Sequence, residues 1–138
     1  MMSYSINQID GFDEAEIKAL KALGLRTTDR FLEAARTPRG RRVLAEKTRI
    51  DPKRLLDGAN ACDHMRIKGM GKGYVGLLRR VGVSTVRELK YRNPANLAKA
   101  MAEANKEQKL VRFLPSEKLV VRWVEYAKKL PLKIVYKD

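Results

Sequence analysis

The stretch Ile67-Lys68-Gly69-Met70-Gly71 aligns with Ile9-Asp10-Gly11-Phe12-Asp13, which lies 58 residues earlier. The alignment continues without a gap through apolar positions, a second glycine and a threonine. The matched residues are Leu20, Leu23, Gly24, Leu25, Thr27 and Phe31 in the first copy and Leu78, Val81, Gly82, Val83, Thr85 and Leu89 in the second. Self-similarity at one fixed offset indicates an internal repeat, so we predict two diverged copies of one unit.

Each copy has the pattern of two helices joined by a glycine turn. Apolar residues recur at helical spacing in Ile17, Leu20 and Leu23, and again in Val75, Leu78 and Val81. Gly24 and Gly82 follow these stripes, where a left-handed residue commonly ends a helix. Thr27 and Thr85 can then cap the next helix, and Glu88 completes a capping box with Thr85.

Prolines mark the starts of further helices. Thr37-Pro38, Asp51-Pro52 and Asn93-Pro94 place proline where the first helical turn tolerates it. A last helix follows Pro115-Ser116 and ends at Pro131, and the short stretch 132–136 is expected to be an extended tail.

These patterns predict an all-α fold of two helix-hairpin-helix repeats packed as one compact helical domain. The first repeat, with a degenerate hairpin, spans residues 1–63. The second repeat, with an intact hairpin and the extended C-terminal tail, spans residues 64–138.

Positive charge is concentrated in the later part of the chain. The 30 Lys and Arg residues exceed the 16 Asp and Glu residues by 14. Residues 1–35 carry 4 basic and 6 acidic side chains, whereas residues 36–138 carry 26 and 10. A polyanion is therefore the first partner to expect, with a solvated Lys/Arg surface of no binding role as the alternative.

The second hairpin is the candidate anion site. Glycines at a turn before a helix expose backbone N–H groups, and the helix dipole favours negative charge at the same place. We therefore predict phosphate binding by five consecutive residues, Lys68, Gly69, Met70, Gly71 and Lys72. A Gly-x-Gly stretch can also serve only as a tight turn between helices.

Basic residues surround this hairpin, because residues 64–92 contain eight Lys and Arg residues and one acid, Glu88. The predicted supporting patch is Arg66, Arg79 and Arg80, extended by Arg39 and Arg42 from a second basic stretch that could equally be a solvated face. The helical register of that stretch predicts that Val43 and Leu44 face inward. Contacts of this kind reach phosphates rather than base edges, so binding should depend on salt and not on sequence. Tyr74 or Tyr91 could stack on a base, although packing is the favoured role of both.

The first hairpin provides an internal control. Asp13 replaces the second glycine, and Asp10, Glu14 and Glu16 surround the turn. Carboxylates at these positions would repel phosphate. We expect the first copy to preserve the fold and the second copy to carry the binding chemistry.

The segment from Ile67 to Val75, with Leu78, Gly82-Val83 and Leu89, resembles the helix-hairpin-helix motif of DNA-repair proteins. The resemblance implies nonspecific DNA binding through the amides of Gly69, Gly71 and Lys72, often with a bound monovalent cation. Across nearly its whole length the chain also resembles an uncharacterised prokaryotic family of tandem helix-hairpin-helix domains, in which Met65-Arg66-Ile67-Lys68-Gly69 and Leu114-Pro115-Ser116 recur. That likeness implies the fold and supplies no activity.

Other functions have weaker support in the sequence. One histidine, one cysteine and scattered acids form no recognisable catalytic set or metal site, so we expect no enzyme and no metal ligands. Cys62 and His64 are interpreted as a packed thiol and a surface imidazole, and Trp123 as a core anchor. The main rival function is a protein-interaction adaptor or homo-oligomer. With one cysteine and no apolar run of roughly 20 residues, we expect a cytoplasmic protein and no membrane contact.

Overall fold

The computed structural model describes residues 3–137, and this part of the chain contains eight α-helices and no strand. A short 3₁₀ helix, Ile6–Gln8, comes first. The α-helices are α1 (Glu14–Ala22), α2 (Thr28–Ala35), α3 (Pro38–Thr48), α4 (Pro52–His64), α5 (Lys72–Arg80), α6 (Val86–Lys90), α7 (Pro94–Gln108) and α8 (Glu117–Lys129). The predicted all-α class is confirmed. Residues 1, 2 and 138, the outermost residues of the two predicted units, lie outside the described part.

The helix boundaries follow the predicted signals. Thr27 and Thr85 cap α2 and α6, and Thr85 forms the expected capping box with Glu88. Pro38, Pro52 and Pro94 occupy the first turns of α3, α4 and α7. These helix starts could be predicted from the sequence because each capping residue or proline lies within a few residues of the helix that it starts.

The helices of the two halves follow one another in matching order. Helices α1 and α5 have nine residues each and begin 58 residues apart. The glycines before and after them have positive φ in both halves, with values of 100° and 83° for Gly11 and Gly24, and 84° and 87° for Gly69 and Gly82. The turns at both ends of α1 therefore use the same backbone conformations as those around α5.

Two hydrophobic cores lie on either side of α4. The first contains Leu55, Ala59 and Cys62 from α4 together with apolar residues of the 3₁₀ helix and α1–α3. The second contains Ala61 and Met65 together with apolar residues of α5–α8, including the fully buried Trp123. Helix α4 thus joins both cores, and Trp123 is a core anchor as predicted.

Each end of the described chain packs against the hydrophobic core of the opposite half. Tyr4 packs against the second core, whereas Ile134 packs against the first. The tail is extended, as expected, and it is docked: the Val135 amide donates to the Arg36 carbonyl over 2.7 Å, and Lys133 pairs with Glu33 at 3.1 Å. These contacts hold the last residues onto α2 and α3.

Two expected apolar positions face solvent instead of the core. Leu23 is exposed at the end of α1, and Val43 is exposed on α3, where an inward position was expected. The inward face of α3 carries Leu44 and the buried Arg41, whose guanidinium donates to the carbonyls of Ala35 and Val135. Arg41 therefore faces inward, because its guanidinium donates to carbonyls beneath the docked tail, and Val43 faces solvent.

The junction of α2 and α3 requires glycine at position 40, because the neighbouring backbone leaves no room for a Cβ atom. A Cβ at Gly40 would overlap with the carbonyl oxygen of Ala34 and lie 3.2 Å from the Thr37 hydroxyl. We expect Gly40→Ala to lower the free energy of unfolding by about 1–3 kcal/mol because the backbone of α2 must move. Urea denaturation measures the change.

Gly76→Ala is the matched control, since Gly76 is also helical and its added Cβ would meet only Leu110 Cδ1 at 3.6 Å. Relief of glycine's conformational entropy should leave this variant as stable as the parent or stabilise it by up to about 1 kcal/mol. A Gly40→Ala protein as stable as the Gly76→Ala protein would contradict the packing described for α2 and α3.

Candidate functional site

The second hairpin turn joins α4 to α5, and its apolar residues anchor it in the second core. Ile67 and Met70 are buried, and the Met70 amide donates to the Ile67 carbonyl over 3.1 Å. Gly69 has φ 84°, a conformation that side-chain-bearing residues rarely adopt. Lys68 and Gly69 are exposed at the tip. The turn is therefore anchored on the second core by Ile67 and Met70, with its tip in solvent.

The start of α5 differs from the other helix starts. Gly71 occupies the N-cap position and makes no side-chain hydrogen bond, whereas every other α-helix within residues 3–137 has a side-chain cap. The amides of Gly71, Lys72 and Gly73 donate to no protein atom among the described residues. No acidic residue lies in the first turn of α5. Unpaired N–H groups and the positive end of the helix dipole make this a place where an anion would be stabilised.

Basic side chains line a pocket on one side of this helix start. The pocket has a volume of about 430 Å³ and brings Lys72, Arg79 and Arg80 together with Asp10 and Leu110. The Lys72 ammonium lies 3.6 Å from the Asp10 carboxylate, and half of the lysine side chain is exposed. An exposed pair at this distance contributes little to stability, so Lys72 can exchange Asp10 for another anion at small cost.

A second groove lies on the other side of the turn. Its volume is about 530 Å³, and Lys68 and Gly69 line it with Arg122 and Lys129 from α8. Glu125 is the acidic residue in its wall. The tip of the hairpin is therefore bordered by cationic side chains on both sides.

The structure does not bring all the predicted site residues to this surface. Arg66 is 4% exposed, and its guanidinium pairs with Asp63 at 2.6 Å, so it contacts the end of α4 and is not part of the exposed patch. The Met70 side chain belongs to the core, and its amide is already paired. Arg39 and Arg42 are exposed on α3, which packs against α1, α2 and α4, and neither lines the pocket at α5.

The first hairpin has similar backbone but opposite chemistry. Asp13 caps α1 by accepting the Glu16 amide over 2.7 Å, and Glu16 accepts the Asp13 amide over 2.9 Å. Arg54 binds the Glu16 carboxylate, with one N–O distance of 2.6 Å. This hydrogen bond is the largest cause of the lowered pKa of Glu16. The helix start that Gly71 leaves open in the second half is occupied in the first by carboxylates of the protein itself.

A loop that the sequence did not single out as a site borders the open helix start. A Cβ at Gly73 would lie 3.0 Å from Val111 Cγ1 and 3.1 Å from the Leu110 carbonyl, so the glycine lets the α7–α8 loop approach α5 closely. Tyr74 packs against Trp123 and donates its hydroxyl to the Phe113 carbonyl over 2.9 Å. The sequence signal that could have pointed to this loop is the stretch 110–114 between two helices, in which every residue except Arg112 is apolar.

A family model for a domain of unknown function, DUF4332, matches residues 10–130. The chain belongs to this family. The match extends over all eight α-helices and confirms the predicted membership of an uncharacterised family, without assigning an activity. Comparison with curated proteins and with solved structures gives no match. Within residues 3–137 of this DUF4332 chain, none of the helices has the length and apolar character needed to cross a membrane.

The hairpin of this DUF4332 chain offers oxygen ligands of the kind that a monovalent cation takes. The carbonyls of Lys68, Gly69 and Met70 accept no hydrogen bond from any described residue. Carbonyl oxygens can replace the hydration shell of such an ion, so the donor chemistry fits the cation that the resemblance implies. No group of three or more His, Cys, Asp or Glu side chains in the described chain is arranged to hold a metal ion.

His64 lies behind the hairpin and is fully buried, so its interpretation as a surface imidazole is wrong. Neither ring nitrogen has a hydrogen-bond partner in the described part of the molecule. Burial lowers the pKa of His64, and the backbone of Thr85 and the carboxylates of Asp63 and Glu88 offset this only in part. Cys62 is buried as predicted, and burial raises the pKa of its thiol.

The buried imidazole makes stability depend on pH. Because the folded-state pKa lies below the ordinary value of 6.5, the unfolded chain binds a proton that the folded chain does not. Stability should therefore fall as pH decreases from about 7.5 to about 5.5, with a slope of up to about 1.4 kcal/mol per pH unit. Denaturant unfolding at several pH values measures this slope.

His64→Leu is the control variant, since this is the only histidine in the chain. Its stability should vary much less with pH over the same range, whatever its absolute value. An equal slope in both proteins would mean that carboxylates cause the effect and that His64 does not.

Proposed function

We propose that this chain consists of two diverged helix-hairpin-helix units and that the second unit binds the phosphates of nucleic acid, most simply DNA, without sequence preference. The observation that carries the proposal is the uncapped start of α5, where the amides of Gly71, Lys72 and Gly73 have no partner in the described chain. Phosphate oxygens are strong acceptors for such amides. The capped start of α1 provides the contrast within one molecule.

Charge supports the same assignment. Lys68 and Lys72 flank the turn, and Arg79 and Arg80 follow along α5 in the pocket that Lys72 lines. Backbone contacts of this type release counterions from the nucleic acid, so affinity should fall steeply as salt rises. Contacts from amides and lysines to phosphates carry no sequence information, which is why we propose nonspecific binding.

The roles of the predicted residues differ under this proposal. Gly69 permits the turn, Gly71 and Lys72 supply amides, and Lys68 and Lys72 supply charge. Arg79 and Arg80 extend the cationic surface, whereas Arg66 and Met70 support the turn from inside. Arg39 and Arg42 would form a separate basic area on α3. We place the protein in the cytoplasm, where a lone cysteine stays reduced.

The double variant Lys68→Glu/Lys72→Glu tests the proposal. We expect its affinity for a fluorescein-labelled duplex at about 50 mM salt to fall by tenfold or more, because two phosphate contacts become repulsions. The slope of log K against log salt should become shallower by about 2. Fluorescence anisotropy across a salt series measures both quantities.

Lys47→Glu/Lys99→Glu is the matched control, with the same change in net charge at exposed positions of α3 and α7 that make no ion pair within residues 3–137. It should lose much less affinity. Equal losses in the two double variants would show that total charge governs binding and would remove the hairpin from the mechanism. A protein that shows no salt-linked DNA binding would favour the adaptor function instead.

A further inference from the structure

The loop between α7 and α8 presents large apolar side chains to solvent beside the second hairpin. Phe113 is 72% exposed, and Leu110 and Leu114 are also exposed. Leu110 reaches into the pocket lined by Lys72, Arg79 and Arg80. The apolar patch, defined here as Leu110, Phe113 and Leu114, is therefore continuous with the cationic pocket at the start of α5.

The loop that carries this patch is fixed in place. Asn105 on α7 exchanges two hydrogen bonds with the backbone of Val111, of 3.0 and 3.1 Å. Tyr74 in the first turn of α5 donates to the Phe113 carbonyl over 2.9 Å. Gly73 allows the loop to lie directly on α5. The Phe113 ring is thus held at the surface by a backbone that is anchored on both α5 and α7, so a ligand need not order the loop.

Charge around the patch favours an anionic partner. The Arg112 guanidinium carbon lies 5.5 Å from the centroid of the Phe113 ring. Lys109, Arg112 and Lys118 are exposed and make no ion pair among the described residues, while Glu107 and Glu117 are the exposed acids of the neighbouring helix ends. An aromatic face among cations, next to a phosphate site, matches the arrangement by which proteins hold strands with unpaired bases.

We propose that Phe113 is a stacking platform for an unpaired base and that the preferred ligand of this chain is single-stranded nucleic acid. The inference rests on the proposed function, because the phosphates of the same strand would bind at the start of α5 and along Arg79 and Arg80. Arg112 adds a cation beside the stacked base. Four aromatic side chains in the described part of the chain are exposed, namely Tyr91, Phe113, Tyr126 and Tyr136. Phe113 lies on the loop that packs against the start of α5, whereas Tyr91 lies after α6, Tyr126 lies on α8 in the groove beside Lys68, and Tyr136 bonds Asn60.

The test compares two fluorescein-labelled oligonucleotides of equal length, oligo-thymidine and an abasic strand with the same number of phosphates. The parent protein should bind oligo-thymidine more tightly than the abasic strand by about 5- to 150-fold, the range expected for one base stacked on an aromatic ring. Phe113→Ala should lose this preference and keep its affinity for the abasic strand. Phe113→Trp should retain the preference, and the fluorescence of its exposed indole should be quenched by oligo-thymidine alone.

Tyr91→Ala is the matched control, because Tyr91 is 74% exposed and also has a cation, the Lys90 ammonium, 5.2 Å from its ring centroid. It should keep the preference of the parent protein. Equal binding of the two strands by the parent, or a preference that survives in Phe113→Ala, would overturn the stacking proposal and leave phosphate binding intact. Failure to bind either strand at low salt would overturn both proposals, and the patch would then be assigned to a protein partner.

Discussion

The fold depends on the burial of the C-terminal half of α4 and of the turn that follows it. Every residue from Gly58 to Ile67 is buried, although this stretch includes Asn60, Asp63, His64 and Arg66. A helix that is enclosed in this way cannot have one apolar face and one solvated face. It serves both cores at once, and each polar side chain in it must find a partner inside the protein or lose its charge.

The polar residues of this buried stretch meet the requirement in different ways. Asp63 and Arg66 pair with each other, Asn60 accepts a hydrogen bond from Tyr136 of the tail, and His64 is stabilised in its neutral form. A buried ion pair adds little net stability, because desolvation costs about as much as the attraction returns. It does, however, favour one arrangement of the end of α4, and the second hairpin begins at that end. The hairpin is therefore positioned by polar contacts as well as by the burial of Ile67 and Met70.

Local signals in the sequence were sufficient for most of the helices. The capping threonines, the prolines in first turns and the glycines after α1 and α5 act on neighbouring residues, so their effect does not depend on the rest of the fold. The burial of His64 and the exposure of Val43 could not be predicted in this way. Both depend on what packs against the helix: α6 and the second core cover His64, while the docked tail makes Arg41 the inward residue of α3. Contacts between distant segments leave no periodic pattern in the sequence.

The candidate site shows the same division between local and distant causes. The sequence placed the two glycines and the two lysines at one turn, and the comparison of the two hairpins identified which of them had lost its carboxylates. No sequence pattern indicates that the α7–α8 loop lies on α5. Residues 109–114 are nearly forty positions away from Gly73, and the two segments meet only when the chain is folded. An apolar loop held beside open amides and cationic side chains is a surface that neither segment forms alone. Any function of this chain that uses the start of α5 must also accommodate that loop, because Leu110 lines the same pocket as Lys72 and because Tyr74 holds the Phe113 carbonyl against α5.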